Sequence, residues 1–310
     1  MNQKFFLLSL LLLTYAFVFG QSNRDSTVKI DENYITLSEI VINKNLDVAS
    51  FIRRIKTDTT FYKAFRNLRV TGYTANNDIR MLNKNDKTEA SLNSITRQDR
   101  LGNCRIMRVL ERKVTGDFFD RNGNYNYYTA QMYAGLFFTK DTICGENNIV
   151  KGYEFSTAGL SGIDKHKEQL KMLFFNPGKK IKGLPFISNK TAIFSPEMAD
   201  NYDMEIDYKD YNGTPCYVFS VQVKKDKKSN VVIDRMVTWF NSKTFDIVAR
   251  NYSLKYDAGV YDFDVKMKVQ MKKVGNLLVP ELLAYNGNWK VMFNKRERGV
   301  FTATLSDFVE

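Results

Sequence analysis

Residues 261–271 alternate strictly. Tyr261, Phe263, Val265, Met267, Val269 and Met271 are apolar, and the Asp, Lys and Gln residues between them are charged or polar. A period of two over that length predicts a strand with one dry and one wet face. Burying six such side chains is worth roughly 10 kcal/mol gross, at about 1.5–3 kcal/mol each, so something must cover the dry face. From residue 202 onward the chain supplies partner strands: 203–208, 216–223, 231–240, 245–256, 277–293 and 301–308. Turn signals separate them, among them Asn212-Gly213, Ala258-Gly259 and Gly275-Asn276. Tyr217, Phe219, Val221 and Val223 alternate with polar or small neighbours. So do Val237 and Trp239, and later Leu283, Tyr285, Trp289, Val291 and Phe293. Pro280 and Gly287 break the 277–293 segment. Strands joined this way make an antiparallel meander.

The first half mixes periods. A strand is expected at 34–42. Asp47 opens a helix whose Val48, Phe51, Ile52 and Ile55 share one face. Asp58-Thr-Thr60 caps a second helix carrying Phe61, Tyr62 and Phe65. Strands follow at 68–74, 78–82, 88–97, 104–114 and 125–129. Asn122-Gly123 marks a hairpin turn. The surrounding Asp120-x-Asn122-x-Asn124 also resembles the start of a calcium loop, but Tyr125 stands where such a loop needs Gly, and the twelfth position lacks Glu. The apolar patch 133–138 has no clear period. Residues 161–175 read as a helix capped by Ser161 and ended by Pro177-Gly178. A basic loop at 179–182 and a capped helix start at Ser195-Pro196-Glu197 come next. The fold class is therefore α+β: a large twisted antiparallel sheet with a few helices across its dry face, enclosing either a packed core or an apolar cavity.

The ends and the charge narrow the setting. Residues 1–20 carry Lys4, an apolar run and then Gly20-Gln21, the pattern of a cleaved export signal. The run is short for a spanning helix. Residues 21–45 form a polar segment with one strand, and 46–310 one domain, expected in the periplasm. The 310 residues hold 46 Lys and Arg against 34 Asp and Glu, a net charge of +12. Such a balance suits an anionic partner or simply a lysine-rich surface. Export argues against nucleic acid and leaves lipid headgroups and acidic glycans. Cys104, Cys144 and Cys216 are an odd set, three pairings are open, and none has metal-ligand spacing. Cys104 and Cys216 read as small buried residues.

Catalytic chemistry finds little support. His166 is the sole histidine and sits between lysines on the 161–175 segment, as a surface residue would. No nucleophile–histidine set, Gly-rich phosphate loop or metal motif is present. Asp262 and Asp264 fall on the wet strand face. A non-enzyme without a cofactor is expected.

One stretch carries a resemblance. Tyr211-Asn-Gly-Thr-Pro-Cys-Tyr-Val-Phe-Ser-Val221, then Met236-Val-Thr-Trp-Phe-Asn-Ser-Lys-Thr-Phe245 and Val274-Gly-Asn-Leu-Leu-Val-Pro280, resemble the outer-membrane lipoprotein carrier family and its sensor relatives, mainly over 200–310. The resemblance implies an open half-barrel of about eleven strands closed by helices, with an apolar cavity for acyl chains. Dry-face positions Tyr217, Phe219, Val221, Trp239, Tyr261, Phe263, Val265, Met267, Val269 and Trp289 would then line the ligand. Lys179, Lys180 and Lys182 would face headgroups. The expected role is binding of lipid or lipoprotein acyl chains, with peripheral membrane contact and an envelope protein as a further partner. The alternative is a filled half-barrel acting as an interaction or structural module. A transmembrane barrel shares the strand pattern, but the helices and lysine-rich turns disfavour it.

Overall fold

The alternating strand runs through the middle of one large sheet. The structure, a computed structural model, describes residues 26–30, 33–37, 39–40, 46–150, 155–156, 172–182, 189–257, 261–291 and 295–310. The expected export signal, His166 and most of the 161–175 segment lie outside the described residues.

In chain order the strands are β1 (Ser26–Ile30), β2 (Asn33–Leu37), β3 (Glu39–Ile40), β4 (Gly72–Leu82), β5 (Thr88–Leu101), β6 (Cys104–Thr115), β7 (Thr142–Cys144), β8 (Phe155–Ser156) and β9 (Ile181–Lys182). Then come β10 (Tyr202–Tyr211), β11 (Thr214–Val223), β12 (Ile233–Asn241), β13 (Ile247–Asp257), β14 (Tyr261–Val274), β15 (Leu277–Val291) and β16 (Glu297–Val309). The helices are α1 (Val48–Thr57), α2 (Thr60–Asn67), α3 (Tyr128–Phe137) and α4 (Pro196–Ala199). Twelve strands share one sheet in the order β3-β10-β11-β12-β13-β14-β15-β16-β4-β5-β6-β7. All neighbours are antiparallel except β3 and β10. β16 joins the C-terminal meander to β4, so the two halves of the chain make one surface. β3 and β7 end the sheet without meeting, which leaves an open half-barrel rather than a closed one.

The helices lie on the dry face. Asp47 caps α1 by accepting from Ser50 N at 3.0 Å. Its stripe is as the spacing predicts: Phe51, Ile52 and Ile55 are buried, and Phe51 meets Phe240 at 5.4 Å and Tyr217 at 5.7 Å. Phe61 of α2 lies edge-on to Tyr252 at 6.3 Å. A helical turn at 172–175 puts Phe174 against Trp289 at 5.7 Å, and Tyr252 donates its hydroxyl to Phe174 O. No helix among the described residues is long and apolar enough to cross a membrane.

Four expectations change. Residues 125–129 are not a strand. Tyr125 makes one bridge to Phe119, and α3 then runs through the apolar patch. Its first turn has no local cap. Glu297 of β16 supplies one, accepting from Tyr128 N at 2.9 Å and Thr129 N at 2.7 Å. At 68–71 the chain turns, and β4 begins at Gly72. Here buried Gln98 donates to Leu68 O and Thr71 O. β15 is unbroken. Pro280 sits beside a register shift at Gln270/Met271, where a missing N–H is tolerated. Gly287 leaves room for its neighbour: a Cβ there would run into the Tyr285 hydroxyl, which accepts from Trp289 Nε1. Finally, Cys104 is not a lone buried residue but pairs with Cys144 in a disulfide, leaving Cys216 free and buried. Burial pushes the Cys216 thiol up to about 11, so it is protonated at neutral pH and a poor nucleophile.

Candidate functional site

The register assigns each expected ligand-facing residue. Tyr217, Phe219 and Val221 pair with Phe240, Thr238 and Met236. Phe263, Val265, Met267 and Val269 pair with Trp289, Gly287, Tyr285 and Leu283. All of these point into the half-barrel, where they are packed. Phe219 and Val221 have no exposed surface, and Phe219 stacks on Phe194 at 5.9 Å. Val265 and Val269 are equally closed off. Tyr261 lies on β14, opposite Val291. Trp239 departs from the expectation. It pairs with Val218 and Ala249, and its ring lies 5.2 Å from Tyr211 on the outer face. The inner place is held by Thr238, whose hydroxyl accepts from Arg250 Nε at 2.9 Å. Both are buried, so a satisfied polar pair breaks the apolar alternation at this point.

The basic loop also differs. Lys179 is buried, and its ammonium donates to Ile55 O at 2.8 Å and Lys56 O at 2.5 Å. It thus closes the open carbonyls at the end of α1. Lys180 is exposed, and Lys182 lies on β9, which pairs with β8. Burial pulls Lys179 down to about 7 from 10.5, with Asp58 opposing. The unfolded side chain keeps its proton up to about pH 10.5 and the folded one only to about pH 7. Folding therefore releases a proton between these values, and stability rises with pH there. The expected gain from pH 7 to pH 9 is about 2 kcal/mol. Urea titrations at the two pH values should show this slope in the wild type and a flatter one in Lys179→Met. Equal slopes would mean that the native amine is protonated throughout.

Among the described residues, two neighbouring spaces lie between the helices and the sheet. The first, about 30 Å³, is apolar. Tyr133, Phe174, Met267, Leu283, Tyr285 and Phe301 are among its walls. It has room for about two waters, far below a ligand-sized pocket. The second, about 230 Å³, lies below the end of α2, bounded by α3, β6 and the segment after Cys144. Its walls combine Tyr62, Phe65 and Tyr73 with Arg66, Arg69, Arg105 and Glu146. Leu136, Phe137 and Phe175 line both spaces and form the partition between them. Phe175 stacks on Phe65 at 4.1 Å and meets Phe137 edge-on at 5.7 Å.

Glu146 anchors the polar end. Its two oxygens take Arg69 at 3.0 Å and Arg105 at 2.5 Å, and these guanidiniums hold its carboxyl below the usual range against the effect of burial. Arg105 also donates to Gln98 Oε1 at 3.0 Å and to Thr139. The Cys104–Cys144 bridge lies one residue before Arg105 and two before Glu146, and so sets this pair. Burial pushes the Tyr73 phenol up to about 12. Arg69 and Glu146 keep 28% and 20% of their side-chain exposure, so the space opens to solvent. Gly135, on the exposed side of α3, borders the opening, and a Cβ added there would meet nothing within 4 Å. Sequence reasoning missed this cluster because its members come from three distant segments. Only the i, i+3 spacing of Arg66 and Arg69 is local.

Among the described residues, no group of three or more His, Cys, Asp or Glu side chains could hold a metal ion. No family model matches this chain, and no curated protein does. Among solved structures, the chain is similar to a DUF1329 family protein from Desulfovibrio piger, at 14% identity and a TM-score of 0.23, over 81% of this chain and 93% of that one. It is also similar to a putative outer membrane lipoprotein-sorting protein domain from Vibrio parahaemolyticus, at 9% identity and a TM-score of 0.27, over 79% and 88% of the two chains.

Proposed function

We propose that this chain is an exported, periplasmic half-barrel that binds the acyl chain of an amphiphile between its helical layer and its sheet, without catalysing a reaction. One observation carries this: a polar-mouthed space of about 230 Å³ and an apolar one share a partition of just Leu136, Phe137 and Phe175. The larger space is slightly below the usual range for small ligands, about 300–1,000 Å³. Turning the partition side chains aside joins the two into one channel, wet at one end and dry at the other. In this reading the ligand lies under α2 and α3, not along the tightly packed face formed by Phe219, Val221, Val265 and Val269. Export rests on the basic, apolar and small-residue pattern of residues 1–20.

Gly135 gives the test. Gly135→Trp should fit without a clash at the backbone, because the added Cβ has open space. Removing a glycine from a helix interior favours the helix by up to about 1 kcal/mol. The melting temperature should therefore hold or rise slightly, while affinity for a fluorescent fatty acid should fall at least about tenfold, as the indole fills the opening. Unchanged affinity in a folded Gly135→Trp would rule out this route.

A further inference from the structure

The 230 Å³ space holds more positive charge than its single acid balances. Three guanidiniums, Arg66, Arg69 and Arg105, line it with Glu146. Both Glu146 oxygens are already taken, one by Arg69 and one by Arg105. Arg105 is further committed to Gln98 and Thr139. Arg66 differs from the other two. Its Nη2 donates to Asn147 O at 2.9 Å, but its Nε is shut off from solvent and has no hydrogen-bond partner. A buried donor left unmade is costly. A place at the end of α2 suits a basic residue through the helix dipole, but the dipole does not account for an enclosed Nε. Burial and the like charge of Arg66 both lower the pKa of Arg69, and Glu146 offsets them only in part.

We propose that Arg66, with Arg69 beside it, binds the anionic headgroup of the amphiphile, a carboxylate or a phosphate monoester, while the aromatic partition admits its chain. This rests on the carrier reading above and names the ligand's polar end. A carboxylate in the space would pair with the guanidinium of Arg66, and a small turn of that side chain toward it would bring the enclosed Nε an acceptor. It would also bring a second anion to a cluster that now shares one. Guanidinium forks suit both the planar carboxylate and the tetrahedral phosphate through paired, charge-assisted bonds. The half-enclosed position makes such a pair stronger than one at the open surface. Lys179, the buried member of the basic loop, has no such freedom, since its ammonium is used on two backbone carbonyls.

Displacement of the neutral dye N-phenyl-1-naphthylamine from the full mature chain tests this. Competitors are oleate, oleoyl lysophosphatidate, oleyl alcohol and inorganic phosphate. Oleate or the lysophosphatidate should compete at least about tenfold better than oleyl alcohol, the scale of a hydrogen bond to a charged group. Arg66→Gln should remove most of that preference. The wild-type comparison stands even if the variant folds poorly. Equal competition by acid and alcohol in the wild type would overturn the headgroup assignment and leave the carrier reading in place. Failure of every acyl competitor would overturn both. If inorganic phosphate alone raised the wild-type melting temperature, with oleate no better than its alcohol, the cluster would be a free-anion site and the headgroup assignment would fall.

Discussion

Replacing both Cys104 and Cys144 with serine is expected to lower stability by about 4 kcal/mol, from the chain entropy that a bridge across 40 residues removes from the unfolded state. For a chain of this size that corresponds to a melting-point loss of about 8 °C. The effect should also reach the site. Gly145 N donates to Asn103 O at 3.1 Å, and Glu146 follows immediately. Freed from the bridge, that segment no longer fixes Glu146 between Arg69 and Arg105. Melting curves of the oxidised wild type, the wild type under reductant and the double variant check this. The last two should agree with each other and fall below the first. Three coincident curves would mean that the bridge contributes nothing. Cys216, buried and with its thiol pushed up to about 11, should not substitute for either partner.

Phe219→Ala is expected to cost about 3–5 kcal/mol, the range for emptying a buried aromatic site, or roughly 6–10 °C. The ring has no exposed surface and stacks on Phe194. It lines neither space, so affinity for an acyl probe should not change in the folded fraction. The opposite pattern, a held melting temperature with lost affinity, would return Phe219 to the ligand wall, where the strand pattern and the family resemblance together had placed it. Thermal melts and probe titrations on the same preparation separate the two.

Much of the scaffold was legible in the chain because its signals are local. The alternation at 261–271 is β14, and Asp47 with Phe51, Ile52 and Ile55 is α1. Asn212-Gly213 turns β10 into β11, with both residues at positive φ. What failed to show depends on residues far away in sequence. α3 is capped by Glu297, more than 160 residues downstream, so its start carries no signal of its own. Trp239 faces outward because Thr238 takes the inner place for Arg250, a choice visible only once β12 and β13 are paired. Lys179 reads as part of a basic surface run, yet it closes the end of α1. The arginine cluster needed the Cys104–Cys144 pairing, which composition left open among three alternatives. With that pairing known, Arg105 and Glu146 would have been expected as neighbours, each close to a bridged cysteine in sequence.

Native mass spectrometry of the protein taken from the periplasm without detergent tests the carrier role most directly. The wild type should carry an added mass, releasable by organic solvent and identifiable as an acyl amphiphile with an acidic headgroup, and Gly135→Trp should carry little or none. Wild-type protein that is repeatedly bare, and that takes up no acyl probe afterwards, would contradict the proposed role and leave a half-barrel whose interior serves only as its core.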